Sequence, residues 1–117
     1  MIMKTDSAAG EAFMYEVGEA LYIQLKGRIT PKAAESFMLE IIEKTTNITQ
    51  DLVVFDFREI QGMNSQILGI IVRVWQSIQS QDKKIRILAR PHVAELLRLS
   101  RLDEIVEIYL LNERVNL

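Results

Sequence analysis

The chain has 117 residues, enough for one compact domain with a real core and too few for a core plus an independent second domain. Its 49% hydrophobic and 26% charged residues and net charge of −2 leave no basic footprint for nucleic acid, so no nucleic-acid partner is expected. Cysteine is absent, which excludes disulfides, thiolate metal sites and cysteine nucleophiles, and His92 is the single histidine.

The first ten residues, Met1 to Gly10, lack the apolar core of a signal peptide. No apolar run approaches the roughly 20 residues of a membrane span. The chain therefore reads as cytoplasmic, without direct membrane insertion. Residues 1 to 11, small and polar after the first three, read as a flexible tail, and residues 12 to 117 as the domain.

Phe13 to Val17 and Ala20 to Leu25 read as strands joined by Gly18-Glu19, a pair suited to a type II′ hairpin turn because glycine accepts positive φ at the first central position. Thr30-Pro31 supplies an N-cap and a first-turn proline, and Ala34, Phe37, Met38, Ile41, Ile42 and Thr45 then recur on one helical face. Leu52 to Phe57 is a short, nearly continuous apolar run of the kind a central strand requires. Gly62 breaks it, and Asn64-Ser65 opens a helix whose apolar stripe is Ile67, Ile71, Val74, Trp75 and Ile78. Lys84 to Ala89 reads as a strand. Pro91 opens a third helix with Val93, Leu96, Leu97 and Leu99 apolar, and Ile105 to Leu110 closes as a strand. The order β-β-α-β-α-β-α-β implies a single α/β domain, with right-handed crossovers, a mainly parallel sheet and an N-terminal hairpin.

Catalytic constellations are missing, so no enzyme, cofactor or metal is expected. Asp56 near the end of its strand invites comparison with a phosphoryl-accepting receiver domain, but that fold begins with a β-α repeat and an acidic pair, and this chain begins with a hairpin. Asp56 is then expected to be solvated or to cap. Gly62 and Gly69 form no phosphate loop, and His92 reads as a solvated first-turn residue. Lys83, Lys84, Arg86 and Arg90 read as a solvated edge.

Ser65 is the residue with two open readings. In the first turn of a helix its side chain can cap an orphan N–H. The same place, at the positive end of the helix dipole, also tolerates a phosphate on the hydroxyl. Beside it, Ser65, Gly69, Val72 and Gln76 project to one side of the core stripe, a candidate contact shelf or an ordinary helix flank.

From Leu21 to Leu110 the chain resembles a STAS domain, the fold of bacterial anti-sigma factor antagonists and of cytoplasmic domains of sulfate transporters. Three segments carry the likeness. Leu25-Lys-Gly-Arg-Ile29 resembles the close of the second strand. Leu52-Val-Val-Phe-Asp-Phe57 leads into Met63-Asn-Ser-Gln-Ile-Leu-Gly69, which is similar to the family's Met-Asp-Ser-Ser-Gly-Leu-Gly. Ile85-Arg-Ile-Leu-Ala89 precedes a leucine-rich helix. The resemblance implies a non-enzymatic partner switch. A serine kinase that is also the anti-sigma factor would phosphorylate Ser65 and release the antagonist, and a phosphatase would restore binding. The partner contacts expected around that serine are Asn64, Gln66, Gly69, Val72 and Gln76. Asn64 stands where the family motif has aspartate, Gln66 the second serine and Ile67 the glycine, and Thr30 where many antagonists carry an acidic residue. Since some STAS proteins are constitutive scaffolds or subunits of membrane lipid-transport complexes, those roles without phosphorylation are the alternative.

Overall fold

A computed structural model describes residues 2–4 and 10–110, with side chains from residue 10 onward. The elements in order are β1 (Ile2–Lys4), β2 (Glu11–Val17), β3 (Ala20–Gly27), α1 (Pro31–Thr46), β4 (Leu52–Ile60), α2 (Ser65–Ile78), β5 (Lys84–Ala89), α3 (Pro91–Leu99) and β6 (Glu107–Leu110). Short 3-10 turns follow α2 and α3. The strands lie side by side in sequence order in one sheet. β1–β2 and β2–β3 pair antiparallel, and β3–β4, β4–β5 and β5–β6 pair parallel.

The expected order is present, with one strand added in front. Ile2–Lys4, in the segment read as a loose tail, pairs with Glu11 to Phe13 of β2, and β2 itself begins at Glu11. Residues 5–9 of that segment lie outside the described residues. In the β2–β3 hairpin Gly18 takes φ +58° and Glu19 has no positive φ, in keeping with the expected turn.

Each parallel crossover moves the sheet on by one strand in the same direction, so right-handed connections put the three helices on one face. On β4 that face carries Val53, Phe55 and Phe57, all fully buried against Phe37 and Ile41 of α1 and the apolar stripe of α2. α1 is capped as its sequence demands, Thr30 Oγ1 accepting from the Ala33 N–H at 3.2 Å. α1 and α2 run side by side. The Ile29 carbonyl meets Asn64 at their starts, Met38 covers Gly69 midway, and the Gln81 side chain donates to the Thr46 carbonyl at their ends.

Two helix phases differ from expectation. In α2 the buried set is Ile67, Ile70, Ile71, Val74 and Ile78, and Trp75 is only partly buried on the flank away from α1. In α3 the buried set is Val93, Ala94 and Leu97, while Leu96 and Leu99 are exposed. The two differences are of different kinds. In α3 the inward stripe is narrower than hydrophobicity alone suggests and takes in the small Ala94, whereas in α2 the stripe is as wide as expected but turned about the helix axis, so that Ile70 faces the core and Trp75 the flank.

The sheet face without helices holds a second surprise. Asp56 is buried, not solvated and not a helix cap. The β3–β4 register shifts between Gln24 and Lys26, a bulge that puts one extra residue in β4 and leaves Arg58 and Glu59 on the same face. Asp56 Oδ1 accepts the Arg58 backbone N–H at 3.1 Å and its Nε at 2.9 Å, and Oδ2 accepts Arg58 Nη2 at 2.8 Å. The carboxylate thus satisfies the amide that the bulge frees and lies under its own guanidinium. Hydrogen bonding to Asp56 raises the pKa of the Arg58 guanidinium further above its ordinary range, despite the opposing effect of burial. The basic residues expected to be solvated are also partly paired, Lys83 with Asp51 at 3.5 Å and Arg86 with Glu107 at 3.1 Å.

Candidate functional site

The end of β4 delivers the chain to the start of α2 through Gln61, Gly62 and Met63. Gly62 has φ +153°, which a side chain disfavours, although nothing within 4 Å would obstruct a Cβ. Asn64 then takes extended backbone angles and becomes the N-cap of α2. Its Oδ1 accepts the Ile67 N–H at 2.9 Å, and its Nδ2 donates to the Ile29 carbonyl at 2.8 Å. One amide side chain therefore caps α2 and ties that cap to the β3–α1 loop. An aspartate could do only the first, because it has no donor for the Ile29 carbonyl.

This geometry removes the capping role from Ser65. The cap is Asn64, and Ser65 is the first helical residue, exposed, with its hydroxyl donating to Gln66 Oε1 at 3.2 Å. No backbone group of the helix depends on it.

The remaining site residues divide by position. Ser65, Gly69, Val72 and Gln76 follow one another along the crest of α2 opposite its buried stripe; Ser65 and Gln76 are exposed, and Gly69 and Val72 partly covered. Gly69 has a neighbour that its spacing did not indicate. A Cβ there would stand 3.7 Å from Met38 Cε, ordinary contact, so the glycine is not required by crowding and its face is shared with α1. Gln66 lies around the helix from that crest, partly buried, and Asn64 is partly buried with both ends of its amide engaged.

A cavity of about 240 Å³ opens between the starts of α1 and α2, lined among others by Arg28, Thr30, Gln61, Met63 and Asn64. Sequence reading missed Arg28 and Met63 as parts of this site. Arg28 lies 36 positions before Asn64, and only the parallel pairing of β3 with β4 brings their loops together.

These features, a buried central strand leading through a glycine to a capped helix with an exposed first-turn serine, agree with the STAS domain family model, which matches residues 12–113. The chain belongs to the STAS domain family. Similar folds include the Thermotoga maritima protein tm1081, a candidate anti-sigma factor antagonist, with a TM-score of 0.74, 21% identity, and coverage of 84% of this chain and 85% of that one. An anti-sigma factor antagonist from Mycobacterium paratuberculosis gives a TM-score of 0.77 at 14% identity, covering 90% and 89%. The antagonist SpoIIAA in its unphosphorylated form gives 0.70 at 14% identity, covering 87% and 90%. No curated protein matches in sequence. At these identities the likeness concerns the STAS fold itself. Among the described residues of this STAS domain no helix is long and apolar enough to cross a membrane.

Proposed function

We propose that this STAS domain is a non-enzymatic, cytoplasmic partner-switching regulator of the anti-sigma factor antagonist type. Its partner would be a serine kinase that doubles as anti-sigma factor, and a phosphatase would reset it. The observation that carries this reading is the division of labour at the start of α2. Asn64 holds the cap and the loop, so the exposed Ser65 hydroxyl can be modified without unmaking the helix. A phosphate there adds a charge of about −1.5 to −2 at the crest, which disrupts a packed contact by desolvation and repulsion while the helix dipole accommodates it in the free protein. The contact surface would be the α2 crest, with Gly69, Val72 and Gln76 following Ser65 and with Gln66 and Asn64 beside it. Two of the fold relatives named above are anti-sigma factor antagonists and the third is a candidate one, which supports the same class of role.

One observation favours the second reading, a constitutive scaffold or a subunit of a membrane lipid-transport complex that is never phosphorylated. Ile67, in the place of the motif glycine, is fully buried and roots α2 in the core, so a kinase has less freedom to reshape the start of the helix around Ser65.

The test is calorimetric binding of the partner, identified by pull-down from the native cell, to unmodified and stoichiometrically phosphorylated protein. Ser65→Ala is expected to keep binding and to block phosphate incorporation, and the phosphorylated wild type to bind weakly. Equal affinities of the two forms, or failure of the cognate kinase to modify Ser65, would transfer the assignment to the scaffold reading.

A further inference from the structure

The cavity between the starts of α1 and α2 is lined by one charged side chain, Arg28, and by no carboxylate. Arg28 is exposed and makes no side-chain hydrogen bond or ion pair with any other described residue. On its other side it borders a larger cavity of about 570 Å³ where Lys26 and Arg28 are balanced by Glu11 and Glu59, with Lys26 and Glu59 paired at 3.7 Å. The side next to Asn64 has no such balance. The first turns of α1 and α2 contain no acidic residue, and Thr30 and Asn64, which border the cavity, are neutral.

We infer that this cavity receives an Asp or Glu side chain of the protein partner, held by Arg28. The inference rests on the partner-switching reading and specifies the partner's chemistry. Three points select a carboxylate. The guanidinium of arginine matches a carboxylate as a planar, two-pronged acceptor. The volume of about 240 Å³ is enough for a single side chain. One first-turn N–H group of each helix, that of Ala33 and that of Ile67, is already taken by Thr30 Oγ1 and Asn64 Oδ1, which leaves fewer donors for a phosphate. The same arrangement gives the switch a local cause. Phosphate on Ser65, one residue from Asn64 at the cavity wall, puts negative charge beside the incoming carboxylate and competes with it for Arg28. The partner surface that meets this chain is therefore acidic at this point.

The probe is a set of capped tripeptides, acetyl-Gly-Glu-Gly-amide and its Gln and Lys counterparts, titrated into ¹⁵N-labelled full chain and followed by NMR. The glutamate peptide is expected to shift the amides of Gly62 to Ser65 and the Arg28 Nε resonance saturably, and the Gln and Lys peptides to leave them in place. Arg28→Gln, an exposed position whose change should not affect folding, is expected to weaken glutamate binding by about threefold or more, and added salt to weaken it in the wild type. Equal shifts with the Gln peptide, or glutamate shifts that survive Arg28→Gln, would overturn the assignment. Inorganic phosphate saturating the same resonances at lower concentration than the glutamate peptide would also overturn it, in favour of a free-anion site. The two readings fail separately. If Ser65 phosphorylation leaves the identified partner's affinity unchanged but Arg28-dependent glutamate binding is present, the carboxylate site stands and the switch falls. If phosphorylation releases the partner but glutamate does not bind, the carboxylate site alone falls.

Discussion

Replacing Asn64 separates the two jobs its side chain performs. Asn64→Ala removes the N-cap bond to the Ile67 N–H and the bond from Nδ2 to the Ile29 carbonyl. Loss of an N-cap costs about 1 kcal/mol, and a net hydrogen bond between partly buried groups contributes about 1 kcal/mol, so the alanine variant should lose about 2 kcal/mol. In a domain of this size that corresponds to a fall in Tm of about 8 °C. Asn64→Asp gives a different sum. The carboxylate keeps the cap and gains about 0.5 kcal/mol from the helix dipole, but it has no donor for the Ile29 carbonyl and sets two oxygens against each other. Loss of that bond and the added repulsion together cost about 2 kcal/mol, so a net loss of about 1.5 kcal/mol is expected. Asn64→Ser, able to cap but too short to span to the loop, should lose about 1 kcal/mol. Urea unfolding followed by far-UV circular dichroism measures all three, read as changes in midpoint at constant slope. An alanine variant within 0.5 kcal/mol of wild type would show that neither bond of the Asn64 side chain contributes, and an aspartate variant more stable than wild type would show that the tie to Ile29 contributes nothing.

Other substitutions test the packing. Ile70→Ala, at a fully buried position, should cost about 2–5 kcal/mol, whereas Trp75→Ala, on the partly buried flank, should cost about 1–2 kcal/mol despite the larger side chain; denaturant unfolding that reverses this order would move the phase of α2. Gly10→Ala places a Cβ 2.8 Å from the Arg28 and Lys26 carbonyl oxygens at φ +85°, and should lower Tm much more than Gly18→Ala, where φ is +58° but nothing lies within 4 Å; similar losses would mean that backbone strain alone governs both. Asp56→Asn keeps an acceptor for the bulge N–H but turns a donor toward the Arg58 guanidinium, and should cost about 1–3 kcal/mol in the same assay, a loss near zero removing the pair from the account of stability.

Local patterns made much of this molecule legible. The cap and proline at Thr30-Pro31, the limits of β5 and the opening of α2 at Asn64-Ser65 are decided by residues within a few positions of each other, and the sequence records them directly. What it did not record depends on distant pairing. Ile2–Lys4 is only three residues long and is a strand because β2 offers an edge. The burial of Asp56 follows from a bulge defined against β3, and its partner Arg58 reads as an ordinary exposed cation until that bulge is seen. At the site, Ser65 and the α2 crest were read from helical spacing, but the roles of Asn64 were read only in part. Its capping is local, while its bond to Ile29 spans 35 positions. Arg28 stayed out of view for the same reason.

The carboxylate of Asp56 also acts as a marker of orientation in the middle of the sheet. Val53, Val54, Phe55 and Phe57 are all buried, so the hydrophobic pattern of β4 gives little indication of which way its side chains alternate. A slip of one residue would exchange one apolar set for another across the two faces, except that it would drive Asp56, and Arg58 with it, into the apolar layer between sheet and helices, where both charges lose their contact with water. In a strand that could otherwise be threaded two ways, a single pair of charged residues makes one threading far more favourable, and the error it guards against is one of folding, remote from the surface where partners are met.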